Sequence, residues 1–282
     1  MNHKTVLCLA IVALACAALS SASGQGGAAT LHSTVPTLTA ADLFGKTPEA
    51  FQYRVLRSYR KLAALEVPEQ RIRFGAGYES FDFGALEGDA WTFDFGYERT
   101  LSPTGWGILV PSQLWDMSGL DDLLQIGIAP YAFTYVNETI RVGGFVELDM
   151  ANSDVAGIGD DTSYGIGGSA SALFKPAEIV TIAPVGLVEY YRTGQDGQDD
   201  SAIVQAGVQL GVAPGQQFSF GAYGYLTYDA QNDALDGTFW EYGASVTFTI
   251  TKGWGVTAGY EGVSGADEFD TDRFFVDAQY DF

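Results

Sequence analysis

Histidine and cysteine are close to absent from this chain. Its 282 residues hold two of each, His3, Cys8, Cys16 and His32, all near the start. Everything after position 32 therefore lacks imidazole and thiol. That removes the usual general base, the thiolate nucleophile, any disulfide and the commonest transition-metal ligands together. Serine has no base to activate it, so no enzymatic role is expected. Carboxylate pairs such as Asp94 and Glu98 have the chemistry of an acid and a base, but acids facing a wet interior are the simpler account. Long apolar runs are equally scarce. The one at 6–19 is shorter than the roughly 20 residues a membrane-spanning helix needs.

Positive charge is the next scarcity. There are 14 Lys and Arg against 35 Asp and Glu, a formal net charge of −21. Seven of the basic residues fall in a short stretch: Lys46, Arg54, Arg57, Arg60, Lys61, Arg71 and Arg73. A field this negative excludes nucleic acid as a partner. A salty habitat would also account for so acidic a surface, and the residues do not separate the two explanations.

What is present begins with a secretory pattern. Lys4 precedes the apolar run, and Ser20, Ala22 and Gly24 offer cleavage after Ala22 or Gly24, so 1–24 is expected to be a signal peptide. A lipoprotein signal would want Leu three residues before its cysteine, and Cys16 has Ala13 there. Residues 25–38 are rich in Gly, Ala, Ser and Thr and read as a flexible leader. Over 39–69 the period turns helical, with Phe51, Val55, Tyr59 and Leu62 on one stripe and Arg54, Arg57, Arg60 and Lys61 beside it. Pro48 suits a first turn and Pro68 closes the segment.

From Arg71 onward the period is two. Segments near 71–84, 89–101, 105–112, 122–135, 139–151, 162–174, 179–193, 201–213, 217–229, 238–250, 254–264 and 271–282 alternate apolar with small, polar or acidic residues. In 238–250, Trp240, Tyr242, Val246, Phe248 and Ile250 oppose Glu241, Gly243, Ser245, Thr247 and Thr249. In 139–151, Ile140, Val142, Val146 and Leu148 oppose Arg141, Gly143, Glu147 and Asp149. Most segments are long enough for the roughly 9 to 11 residues that a tilted strand needs to cross a bilayer. Soluble sandwiches use strands of about 5 to 6 residues. The segment 105–112 is the least regular because Pro111 interrupts it, yet parity of direction requires a strand between Thr100 and Leu123.

The connections alternate. Gly265–Asp270, Ala230–Gly237, Gly194–Asp200 and Asn152–Asp161 read as long and acidic; Thr251–Gly253, Pro214–Gln216, Lys175–Glu178 and Val136–Glu138 read as short. The last segment, DRFFVDAQYDF, alternates into Phe282, with Phe274 and Tyr280 on the same face. In this it resembles the bacterial outer-membrane β-barrels, whose final strand ends in Phe and is read by the insertion machinery. The resemblance implies an assembly signal at Phe274, Tyr280 and Phe282. The expected class is all-β: a transmembrane, antiparallel up-and-down β-barrel of about 12 strands over 70–282, preceded by one amphipathic α-helix. A water-soluble sandwich that buries the apolar face is the competing architecture.

The resemblance and the alternation together set the functional expectations. Inward Glu79, Asp94, Glu98, Arg141, Glu147, Asp149, Glu189, Glu241, Glu261 and Asp277 are candidate pore-lining residues, with Arg73 beside them. Barrels of about eight strands fill their interior and those of 16 to 18 leave a water channel. A narrow porin or transport channel for small solutes is expected, preferring cations because a ring of acids favours them. The alternative is a non-conducting structural or surface-interaction barrel. Partners would be outer-membrane lipid and lipopolysaccharide, the barrel-insertion machinery and small solutes or cations. No cofactor and no metal site are expected. The acidic clusters Asp196, Asp199, Asp200; Asp229, Asp233, Asp236; and Asp267, Glu268, Asp270, Asp272 lack the spacing of a calcium loop. The basic helix has three placements open to it: on the membrane surface, free in the periplasm, or as a plug in the barrel, with Arg54, Arg57, Arg60 and Lys61 near the inward acids and inward Phe239, Phe275 and Tyr223 as an apolar patch.

Overall fold

Where β-branched and aromatic side chains alternate with Gly, Ser, Thr and acids, the backbone is extended and paired. The computed structural model describes residues 59, 69–82, 87–116, 123–153, 161–194, 200–230, 237–266 and 269–282, all within the compact unit 38–282. The strands are β1 (Gln70–Asp82), β2 (Glu87–Leu101), β3 (Thr104–Asp116), β4 (Leu123–Tyr135), β5 (Ile140–Ser153), β6 (Asp161–Ala172), β7 (Phe174–Ala177), β8 (Val180–Arg192), β9 (Ser201–Val212), β10 (Phe218–Asp229), β11 (Gly237–Thr251), β12 (Trp254–Ala266) and β13 (Phe269–Asp281). The short β7 continues β6 past Leu173 and pairs with the same neighbour, β8. Every pairing is antiparallel, and β1 pairs with both β2 and β13. The result is a closed barrel of twelve staves with no free edge. Closure is completed by the Phe282 amide, which donates to the Gln70 carbonyl at 3.0 Å, and by the ion pairs Arg71–Asp281 (2.8 Å) and Arg73–Asp277 (2.7 Å) across the β1–β13 seam.

The two faces divide as the alternation requires. Phe74, Trp91, Phe93, Ile166, Val188, Phe220, Trp240 and Phe274 stand outward and exposed, while Arg73, Glu79, Thr92, Glu147, Gln205, Glu241 and Arg273 point inward and are buried. A closed barrel with an apolar exterior all round has no face suited to water; hydrocarbon is the solvent that fits it. That disposes of the soluble sandwich. Along β11, Trp240 to Thr251 spans about 37 Å at ~3.4 Å per residue, or about 28 Å of height at a strand tilt of ~40°. This matches a hydrocarbon core of about 30 Å. Aromatics gather near both ends of the exterior: Tyr78 on Trp91 (5.3 Å) at one, Tyr97 on Trp106 (5.4 Å) and Trp254 on Tyr280 (4.7 Å) at the other. Such girdles sit at the two membrane–water boundaries. Among the described residues no helix is long and apolar enough to cross a membrane.

Three expectations need correction. The strand expected at 105–112 runs over Thr104–Asp116, with Pro111 inside it. Proline lacks a donor, so the β3–β4 ladder skips from Leu109↔Ala129 to Ser112↔Ile126 without changing register, while the β2 side keeps Asp94↔Pro111. The connection expected to be long at Gly265–Asp270 is reduced to 267–268, because a register shift after Val263 lets Ala266 pair with Phe269. Gly265, at φ +93°, takes a conformation that other residues adopt at a cost. Last, the strand expected over 162–174 is interrupted at Leu173, although its amide still donates to the Thr139 carbonyl at 2.9 Å. The remaining connections keep the asymmetry on the whole: two to five residues at 102–103, 136–139, 178–179, 213–217 and 252–253 at one end, and four to eight at 83–86, 117–122, 154–160, 193–200 and 230–236 at the other.

Candidate functional site: the barrel lumen

Because every second residue of every strand faces inward, the lumen collects side chains that lie far apart in sequence. All ten candidate pore-lining residues face it. Glu79, Glu98, Arg141, Glu147, Asp149, Glu189, Glu241, Glu261 and Asp277 are buried, and the side chain of Asp94 is 8% exposed. They fall into separate groups.

The first group centres on Arg273 of β13, which is 1% exposed. Its Nη1 donates to Glu261 Oε1 at 2.5 Å, its Nη2 to Asp94 Oδ2 at 2.8 Å and its Nε to Thr92 Oγ1 at 3.0 Å. The planar fork suits three acceptors from two other strands. Gly77 on β1 makes the reach possible, since a Cβ there would lie 2.9 Å from Arg273 Nε. The Tyr223 hydroxyl adds a bond to Glu261 at 2.8 Å. Beside this group Arg73 holds Asp277.

A second group joins Arg141 to Glu98 at 3.2 Å, with the guanidinium 3.7 Å above the Phe133 ring. Glu241 belongs to a third, taking hydrogen bonds from Gln205 (2.5 Å) and Thr227 (2.9 Å). The fourth is acidic. Glu147 and Asp149 of β5 face Glu189 and Tyr191 of β8 across β6, where Gly165 and Ser163 keep the wall low; a Cβ at Gly165 would lie 2.7 Å from Glu189 Oε1. The Tyr191 hydroxyl donates to Asp149 Oδ2 at 2.9 Å. Neither carboxylate oxygen of Glu147 has a hydrogen-bond partner among the described residues.

Two features of the lumen go beyond the sequence expectations. The cations Arg71 and Arg273 face inward beside Arg73 and Arg141. Their phase is readable, since both lie an even number of residues from an inward partner on the same strand. The wall is also less dominated by Gly, Ser and Thr than expected. Besides Phe239, Phe275 and Tyr223, the aromatics Phe81, Trp115, Tyr131, Phe133 and Phe145 are buried within it. Phe81 packs on Trp115 at 4.4 Å, and the Trp115 indole donates to Gln125 at 2.8 Å. Phe81, Trp115 and Phe239 lie toward the end with the longer connections, and Tyr131, Phe133 and Phe145 lie nearer the short turn at 136–139. Toward the short-turn end a cavity of about 350 Å³ opens, lined by Arg71, Arg73, Thr181, Gln209, Ser245 and Asp277 among others.

Tyr59, the one described residue before position 69, is inside the lumen and 2% exposed. Arg54, Arg57, Arg60 and Lys61, the basic residues assigned to a plug helix, lie outside the described residues, as do the signal peptide and leader. Phe274 and Tyr280 are on the outer face, and the Tyr280 ring meets Phe282 at 4.6 Å. Of the acidic clusters, Asp196, Asp199, Asp233, Asp236, Asp267 and Glu268 lie outside the described residues. Asp200 accepts from the Tyr190 hydroxyl at 2.6 Å and Asp229 from the Ala202 amide at 2.9 Å. Asp272 is bonded by the Tyr260 hydroxyl. No group of residues suited to holding a metal ion occurs among the described residues.

No protein-family model and no curated protein matches the sequence. Solved structures do match in shape. The translocator domain of the autotransporter NalP from Neisseria meningitidis superposes with a TM-score of 0.65 at 12% identity, covering 86% of this chain and 100% of that one. The β domain of the Bordetella autotransporter BrkA gives 0.57 at 16% identity, covering 76% and 100%. An outer membrane channel from Pseudomonas putida F1 gives 0.59 at 12% identity, covering 78% and 97%. At these identities the likeness is one of fold: the chain is an outer-membrane-type β-barrel.

Proposed function

We propose that this barrel of the bacterial outer membrane is a narrow channel for small solutes that prefers cations. The observation that carries the reading is the excess of carboxylates over guanidiniums on the wall of a closed, lipid-facing barrel. Arg71, Arg73, Arg141 and Arg273 stand against Glu79, Asp94, Glu98, Glu147, Asp149, Glu189, Asp229, Glu241, Glu261 and Asp277. Glu147 and Asp149 have no arginine partner among the described residues. A wall of this sign raises the local concentration of cations and opposes anions. The cavity of about 350 Å³ at the short-turn end, with Arg71, Arg73, Gln209 and Asp277 in its lining, supports a wet vestibule there, and the aromatics Phe81, Trp115 and Phe239 mark the narrow half. The role is non-catalytic, resting on strands that carry no histidine. Its partners are the lipid around it, lipopolysaccharide, the permeating ions and the machinery that inserts it.

The test is single-channel current from the refolded protein in a planar bilayer under a salt gradient. A reversal potential of the cation-selective sign is expected. An anion-selective sign would overturn the preference. Absence of any current would favour the second reading, a non-conducting structural barrel, for which the near-complete burial of the Arg273–Glu261 pair on the inner wall speaks.

A further inference from the structure

Tyr59 is held, not merely located, inside the barrel. Its ring lies 4.4 Å from that of Phe145 on β5 and 5.5 Å, edge to face, from that of Tyr131 on β4. Its hydroxyl is 3.0 Å from Ser169 Oγ on β6. A ring packed between aromatics with its hydroxyl bonded is the usual arrangement of an anchoring tyrosine. The wall is shaped for it. A Cβ at Gly143 would lie 2.9 Å from the Tyr59 hydroxyl, and Gly167 clears the space that the Phe145 ring occupies.

Two residues beyond Phe145 on the same face of β5 stands Glu147, 2% exposed and with neither oxygen hydrogen-bonded among the described residues. Asp149 and Glu189 stand beside it. A carboxylate so placed gains from a cation or a donor brought to it from outside the wall. The residues flanking Tyr59 in sequence are Arg54, Arg57, Arg60 and Lys61.

We infer that the luminal wall made by β4, β5, β6 and β8 is a docking site for the chain's own basic segment 54–61, seated through Tyr59, with its cationic side chains set against Glu147, Asp149 and Glu189. Two observations converge on this occupant: the anchored tyrosine belongs to it, and its charge is opposite to that of Glu147, Asp149 and Glu189, whose burial would leave such pairs weakly screened by salt. The docked segment occupies lumen and offsets acids, so the intact chain conducts less, and with weaker cation preference, than a chain whose segment is released. That effect on current rests on the channel reading; the docking does not.

The test begins with Ser169→Cys in the full-length precursor, whose mature part has no cysteine of its own if the signal peptide ends by Gly24. A charged, membrane-impermeant maleimide should label the introduced thiol slowly, because Tyr59 covers it, and at least about tenfold faster when Tyr59→Ala is added. Replacing Arg54, Arg57, Arg60 and Lys61 by serine should also speed labelling. Equal rates with and without Tyr59→Ala, fast or slow, would overturn the docking, and an unchanged rate in the serine variant would overturn its electrostatic part. Mobility of the unboiled protein on a gel confirms that each variant has formed the barrel. In the bilayer, Tyr59→Ala should give larger or more frequent openings than wild type. If labelling behaves as expected while both proteins are silent, the docking stands and the channel reading fails.

Discussion

Arg273→Met is the most informative single substitution in the wall. Methionine keeps much of the side-chain volume and removes the charge that sits between Glu261 (2.5 Å) and Asp94 (2.8 Å). Glu261 is fully buried and its side chain has no route to bulk water, so it cannot recover solvation when the guanidinium goes. Removing one partner of a buried ion pair costs about 3–5 kcal/mol. The Tyr223 hydroxyl stays on Glu261, which places the expected loss near the lower end, about 3 kcal/mol. With a urea slope of about 3 kcal/mol per molar, the midpoint of unfolding falls by about 1 M. Tryptophan fluorescence of the detergent-folded barrel in urea measures it. Combining Arg273→Met with Asp94→Asn and Glu261→Gln removes all three charges together and should recover most of the loss. A single variant that unfolds within about 0.2 M urea of wild type would refute the view that charge holds this trio.

Other outcomes follow from the same geometry. The folded protein should migrate differently on a gel before and after boiling, with a circular dichroism spectrum dominated by strand; a helical spectrum would contradict the fold. Gly207→Ala places a Cβ against the Gly224 carbonyl oxygen and the Tyr225 ring, whereas Gly224→Ala meets nothing within 4 Å. The first should destabilise by about 1–3 kcal/mol and the second by no more than about 0.5 kcal/mol, compared as urea midpoints. Deleting Phe282 removes an amide bonded to Gln70 and the ring against Tyr280, so the amount of assembled barrel in the outer membrane should fall while the amount synthesised does not.

The barrel is readable from sequence because a lipid-facing wall forces the same alternation on every strand. The period over 238–250 and the observed β11 (Gly237–Thr251) differ only at the ends. Pro111 misleads because a local rule treats proline as a stop, while the ladder on the β2 side holds the strand across it. The acidic run near 265–270 reads as a loop because a positive-φ glycine and a register shift are not visible as composition. For the lumen, the inward phase of Glu147 or Asp277 is legible. The partners are not: Arg273 meets Asp94 only because the ring closes β13 onto β1 and so brings β2 within reach, which no local pattern encodes. Tyr59 is legible as one face of an amphipathic stretch, but its seat is shared by three strands, one of them 110 positions away.

The β1–β13 seam also bears on the order of assembly. Arg71 and Asp281 are 210 positions apart, so the ring stays open until the final strand exists, and every other pairing in the barrel links strands nearer in sequence. Joining such distant segments is the slowest kind of contact to make. A slip of one residue at that join would break both pairs and turn Arg71 and Arg73 outward at the level of the aromatic girdle, where each charge costs up to about 1 kcal/mol. The two arginines facing Asp281 and Asp277 therefore act as a proofreading device: a barrel closed in the wrong register carries its own penalty, and only the correct closure satisfies both ends of the chain at once.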